Sequence, residues 1–257
     1  MFTLTMGSII LLSAGAFFAG LVDSMAGGGG LISLPLLLAC GVPPHVALGT
    51  NKVQSSSGTL FSAWRYLQSG NMYLPVAITS AAVALIGSYA GAQMVMKIPA
   101  DWLSALVLPL IVLVAIFTFV RKDFGASTRF NPAEMGAVVW AKAAIIGLVI
   151  GFYDGFFGPG TGTFLAFCFV FFFGFNFVQA SANAKLSNLA SNIAAVVAFT
   201  ASAQVIWVVA IPMALANITG NLLGSGMAIK RGAAIIKPVF ALVLAGIFLK
   251  ILWTQHF

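Results

Sequence analysis

A run of four glycines, Gly27 to Gly30, cuts a long apolar stretch of this chain in two, and a second glycine-rich break, Gly158 to Gly162, does the same in the other half. The breaks align at a constant offset of 131 residues, so that Gly20, Asp23, Gly27 and Gly29 meet Gly151, Asp154, Gly158 and Gly160. After a slip of two residues the offset becomes 133; Lys52 then meets Lys185, Gly87 and Gly91 meet Gly220 and Gly224, and Lys97 meets Lys230. Both Lys52 and Lys185 lie deep inside apolar segments. A charge in hydrocarbon is costly and survives where it handles a substrate, an ion or a partner charge. A duplicated chain with a lysine and a glycine break in each half therefore points to a paired polar site enclosed by membrane helices.

Composition fixes the class. Of 257 residues, 61% are hydrophobic and 7% charged, with a mean hydropathy of +1.07. A soluble domain carries roughly 25% charged residues, so this is a polytopic membrane protein, with residues 1–257 forming a single membrane domain. The net charge of +7 sits in short loops between apolar segments, which excludes a nucleic-acid partner and leaves the lipid bilayer as the surroundings. The first residues, Met1 to Met6, lack the basic region of a cleavable signal peptide, so the first apolar stretch reads as a retained span. Cys40 and Cys168 read as small buried hydrophobes, and His45 and His256 have no companion ligands, so neither a metal nor a cofactor is expected.

Apolar segments run at about 6–26, 31–40, 45–66, 73–96 and 102–120, and again at 136–157, 163–174, 178–201, 205–229 and 235–253. This divides the chain into a first repeat at 1–124, a cytoplasmic connector at 125–135 and a second repeat at 136–257. If the short second segment of each half completes a crossing, each repeat has five elements, an odd number, and the two run in opposite directions. With the N-terminus outside, Arg65, Arg121, Lys122, Arg129, Lys142, Lys230, Arg231 and Lys237 then fall inside, and only Lys97 and Lys250 outside. A re-entrant second segment would instead move Lys230, Arg231 and Lys237 to the outer face. The positive-inside rule favours the first arrangement: an all-α fold of two inverted repeats of about five transmembrane elements, with glycine-broken helices near the midplane. At 1.5 Å per residue, segment 31–40 reaches about 15 Å and Lys52 lies roughly 10 Å from the same surface, so loop and lysine arrive at similar depth.

A half-helix N-terminus offers unpaired N–H groups and about half a positive charge, and glycine lets an anion approach that backbone. Together with Lys52 and Lys185, the candidate substrate-binding residues are Gly28, Gly29, Gly30, Thr50, Asn51 and Gln54 in the first half. Gly160, Thr161, Asn183 and Asn188 complete the set in the second. Ser55 and Ser187 stand nearby. The chemistry suits a compact anion: sulfite, a sulfonate or a small carboxylate. Asp23 and Asp154 carry two readings, a structural ion pair with the lysines or a role in proton coupling. The Gly-x-x-x-Gly pairs Gly87/Gly91 and Gly220/Gly224 are assigned to helix packing, and Phe169 to Phe173 to lipid-facing or core positions.

These residues also carry a resemblance. Asp23, the Gly27 to Gly30 loop, Pro35, Pro43 to His45 and the stretch Ala47 to Lys52 look like the signature of the sulfite exporter TauE/SafE family. Gly155 to Gly162, followed by Ala182 to Asn188, looks like its second-half counterpart. The resemblance spans nearly the whole chain and implies a multi-pass permease of the bacterial inner membrane, moving sulfite, sulfonates or related organic anions. It supplies no set of binding residues; those rest on the physical argument.

Three functional classes compete. A secondary transporter of small anions working by alternating access leads, and no nucleotide-binding motif points to direct use of ATP. A passive anion channel would use the same lysines. An intramembrane enzyme would need a nucleophile with a base, and Ser55 to Ser57 have only Lys52 at three residues' distance.

Overall fold

The computed structural model describes residues 5–103, Pro109, Phe130 and residues 136–231. Its helices are α1 (Met6–Ala26), α2 (Gly30–Ala39), α3 (Pro44–Gln68), α4 (Leu74–Val95), α5 (Ala137–Phe156), α6 (Thr161–Phe173), α7 (Phe177–Ala201) and α8 (Trp207–Arg231). Their boundaries follow the apolar segments to within about three residues at each end. The fifth segment of each half, at 102–120 and 235–253, and the connector at 125–135 lie almost entirely outside the described residues.

Local chemistry sets the ends. Thr5 caps α1 by accepting the Ser8 N–H at 3.2 Å, and α1 stops at Gly27, whose φ of 79° belongs to the left-handed region that glycine enters without cost. Pro44 opens α3, where its missing N–H is no loss. Asn176 and Gln179 form a capping box at the start of α7: the Gln179 N–H donates to Asn176 Oδ1 at 2.9 Å and the Asn176 N–H to Gln179 Oε1 at 3.2 Å.

The helices fall into two roles. Parts of α1, α4, α5 and α8 are long and apolar enough to cross a membrane: Met6–Met25, Leu74–Val95, Ala137–Phe156 and Trp207–Lys230. They present large apolar side chains outward, among them Ile10, Ile86, Ile145 and Leu215. By contrast α3 and α7 pack against each other within this set and enclose polar sequence, every residue from Ala47 to Gln54 and from Ala180 to Lys185 being buried. A polar interior under an apolar outer surface is the inverse of a soluble protein and suits hydrocarbon. The protein is a multi-pass membrane protein.

Packing joins the halves. Helix α1 lies on α8 as α5 lies on α4, and α3 lies on α8 as α7 lies on α4. Glycines make the contacts close, as their Gly-x-x-x-Gly spacing led one to expect. A methyl group at Gly87 or Gly91 would collide with the carbonyl oxygens of Leu148 or Phe152 on α5, and one at Gly220 or Gly224 with those of Phe17 or Leu21 on α1. In the Phe169 to Phe173 run, Phe169 and Phe173 are buried and Phe171 and Phe172 exposed, so both expected environments occur.

Candidate functional site

Both glycine breaks end in the same place. Gly27 and Gly162 touch backbone to backbone, so that a Cβ on Gly162 would lie 2.5 Å from Gly27 Cα, and a Cβ on Gly30 would lie 3.1 Å from Pro159 Cα. The left-handed φ values of Gly27 (79°), Gly158 (96°) and Gly160 (81°) turn the chain at the breaks. Tyr153 braces the second loop, its hydroxyl donating to the Pro159 carbonyl at 2.6 Å, and the Thr161 hydroxyl donates to the Gly158 carbonyl at 2.6 Å. The N-termini of α2 and α6 therefore start beside each other at the centre of the described helices.

Among the described residues four charged side chains are buried, two acids and two bases: Asp23, Lys52, Asp154 and Lys185. They form two ion pairs, and each pair crosses between the halves. Lys52 Nζ on α3 lies 2.7 Å from Asp154 Oδ1 on α5, and Lys185 Nζ on α7 lies 2.8 Å from Asp23 Oδ2 on α1. Removing such ions from water costs several kcal/mol each, which the close partner offsets. A glycine at 158 is what admits Lys52, since a methyl there would stand 2.7 Å from Nζ.

The surroundings of the two pairs differ. Lys52 also donates to Asn192 Oδ1 at 3.1 Å, and Asn192 Nδ2 donates to Asn188 Oδ1 at 3.3 Å. Lys185 donates a second time to the backbone carbonyl of Asp23, and Thr59 donates to Asp23 Oδ2 at 3.4 Å. Asp154 Oδ2, in contrast, is buried without a hydrogen-bond partner.

A polar cavity with room for about one water molecule lies between the loops. Asp23, Gly30, Asn51, Lys52, Asp154, Thr161 and Asn188, all singled out in the sequence, line it. Lys185, Gly28, Gly29, Thr50, Gln54, Gly160 and Asn183 are not part of that lining. Several have other partners. Thr50 Oγ1 accepts the Ile206 N–H at 3.1 Å, just before α8, and Asn183 Nδ2 donates to the Gln179 carbonyl at 2.7 Å. Gln54 Nε2 donates to Asn51 Oδ1 at 2.8 Å and to Ser33 Oγ at 3.1 Å, and Ser33 Oγ donates to Asn51 Oδ1 at 2.5 Å. Gln54 thus orients a lining residue. Asn192 also lines the cavity and was not among the expected residues; its spacing of one helical turn from Asn188 is the signal that finds it.

Comparison with known proteins supplies the family. The sulfite exporter TauE/SafE family pattern matches residues 12–251. A probable membrane transporter protein, ORF9, from a Sinorhizobium species is 34% identical over 95% of this chain and 92% of its own length. The probable membrane transporter protein YfcA of Escherichia coli K12 is 34% identical over 94% of this chain and 88% of its own. A probable membrane transporter protein from Haemophilus influenzae is 30% identical over 96% and 95% respectively. No solved structure matches. Helices that span, charges paired in the interior and a match over nearly the whole length lead to one assignment: the chain is a membrane transporter, not an enzyme, and belongs to the sulfite exporter TauE/SafE family.

Proposed function

We propose that the protein is a secondary transporter of small anions, such as sulfite or a sulfonate, which binds its substrate at the Lys52 ammonium by alternating access. The observation that carries the reading is the Lys52–Asp154 pair in the wall of a polar cavity where two glycine breaks meet. An anion entering there competes with Asp154 for Lys52. Amides of Asn51, Asn188 and Asn192 and the Thr161 hydroxyl stand around it to complete an oxyanion's hydrogen bonds. The N-termini of α2 and α6 add positive ends of helix dipoles beside negative charge.

The cavity holds about one water, so a sulfonate needs the helices to part first. That movement fits a carrier built of two inverted repeats, 1–124 and 136–257, rocking about the loops. The matching packing of α1 on α8 and α5 on α4 supports the repeat, and the crossed ion pairs supply contacts that break on one side as the other opens. Lys185 is the second cation of the site and becomes accessible when its side opens.

Uptake of radiolabelled sulfite into proteoliposomes, with sulfate, a small sulfonate and a carboxylate as competitors, tests the reading. Saturable flux with trans-stimulation is expected, and Lys52→Ala is expected to abolish it in protein that still elutes as a folded species. Non-saturable flux would point to a channel, and unchanged flux in both Lys52→Ala and Lys185→Ala would reduce the lysines to structure.

A further inference from the structure

The two aspartates are not equivalent, and the difference bears on what travels with the anion. Asp23 is engaged by Lys185 through both its carboxylate and its backbone carbonyl, and by the Thr59 hydroxyl. Asp154 is 1% exposed and has one carboxylate oxygen on Lys52 and the other buried with no partner. We propose that Asp154 is the proton-binding residue of the transport cycle, taking one proton on Oδ2 when an anion displaces its Oδ1 from Lys52. This rests on the anion reading of the Lys52 site.

The chemistry follows from counting charges. With no anion bound, Lys52 and Asp154 neutralise each other at 2.7 Å. An anion on Lys52 leaves Asp154 as a buried carboxylate with no counter-ion, a state that a protein interior does not hold; it becomes neutral by taking a proton from the bulk solution on the open side, relayed through the water that entered with the substrate. Among the described residues no other cation stands beside Asp154 to replace Lys52. Titratable or charged groups on the helices packed around α5 are Lys185 on α7, held by Asp23; Tyr89 on α4, which is exposed; and Cys168 on α6. Helix α3 brings Lys52 itself and α1 brings Asp23, while α5 carries Tyr153, whose hydroxyl is bound to Pro159. Asp23 is neutralised by Lys185 and supplies no counter-charge for Asp154. Anion and proton load together and leave together, one of each, and the empty carrier returns with the ion pair restored.

Proteoliposomes containing a pH-sensitive dye, in sodium-free buffer and with the membrane potential clamped at zero, separate this inference from the one beneath it. The probes are radiolabelled sulfite and methanesulfonate, the latter ionised throughout the range tested. Methanesulfonate entering the wild-type vesicles is expected to acidify the lumen by one proton per anion, while labelled sulfite reports the anion flux. In Asp154→Asn the proton-to-anion ratio of whatever flux remains is expected to fall to zero, and in Asp154→Glu to return to one. Net entry of labelled methanesulfonate without any proton movement in the wild type overturns the proton role and leaves the anion site standing, as does net entry that depends on added sodium. Failure of both anions to exchange overturns the anion site and the proton role together. The wild-type ratio decides even if Asp154→Asn does not fold.

Discussion

Lys52 and Lys185 hold equivalent places in the two halves, on helices of equal length and with the same residual exposure of 2%, yet their surroundings diverge. Lys52 faces the polar cavity and binds both Asp154 and Asn192; Lys185 lies outside the lining and binds two atoms of one residue, Asp23. The two halves share the charge and not the neighbours. Two residues account for much of this. Seven positions beyond each lysine stands Thr59 in the first half, which tightens Asp23, and Asn192 in the second, which reaches across to Lys52. The Lys185–Asp23 pair, with Thr59 on its aspartate, is the tighter clamp; the Lys52–Asp154 pair, with an idle oxygen and its lysine in the cavity wall, is the one that a ligand enters first.

The largest expected effect sharpens that contrast. Lys185→Met leaves Asp23 buried without its cation and is expected to cost about 3–5 kcal/mol, most of which Asp23→Asn should restore in the double variant. Thermal unfolding in detergent reads both. Lys52→Met is expected to cost less by the same measure, because Asp154 can take a proton on its unpartnered Oδ2, whereas Asp23 Oδ2 is held as an acceptor by Thr59. Equal losses would erase the distinction between clamp and entry point.

Contact between the two glycine breaks comes next. Gly162→Ala forces a methyl against Gly27 and is expected to cost about 1–3 kcal/mol, read from the melting temperature. Gly27→Ala adds a left-handed φ of 79° to the same collision, and so should be the worse of the two. If Gly27→Ala were harmless, the loops would not meet as described.

The helix crossings predict symmetry rather than contrast. Gly91→Ala on α4 and Gly224→Ala on α8 each drive a methyl into a facing carbonyl and are expected to cost a similar amount, about 1–2 kcal/mol. A large disparity would show that the α4–α5 and α1–α8 crossings are not counterparts. The smallest effect is Thr50→Val. It removes the acceptor for the Ile206 N–H and should lower stability by about 1 kcal/mol, leaving the substrate concentration for half-maximal uptake unchanged.

Much of this fold was legible in the chain because membrane helices announce themselves by length and hydropathy. The breaks at Gly27 and Gly158, the short α2 and α6, and the burial of Lys52 and Lys185 all followed from local pattern. Partner choice was not legible. Asp23 precedes Lys52 in its own repeat, and nothing in the spacing says that its carboxylate binds Lys185, 162 positions away. Thr50 and Asn183 looked like ligands because they are polar and near a lysine, but a helix turns 100° per residue, and these two point to backbone groups instead. Asn192 stood outside the expected set because it lies one turn beyond the motif, although it shares a face with Lys185 and Asn188.

The amino-acid sequence by itself determined that the chain enters a membrane, that it is helical there, where its helices break, and that it carries two buried lysines. Each of those is a consequence of a residue's own free energy in hydrocarbon or of its backbone freedom, and needs no knowledge of distant contacts. Tertiary structure alone decided which aspartate meets which lysine, that two glycine loops from opposite halves touch, and that one carboxylate oxygen is left without a partner. These depend on helices packed within a few ångströms of one another, and ion pairing, which falls off steeply with distance and burial, is settled only once that packing is complete.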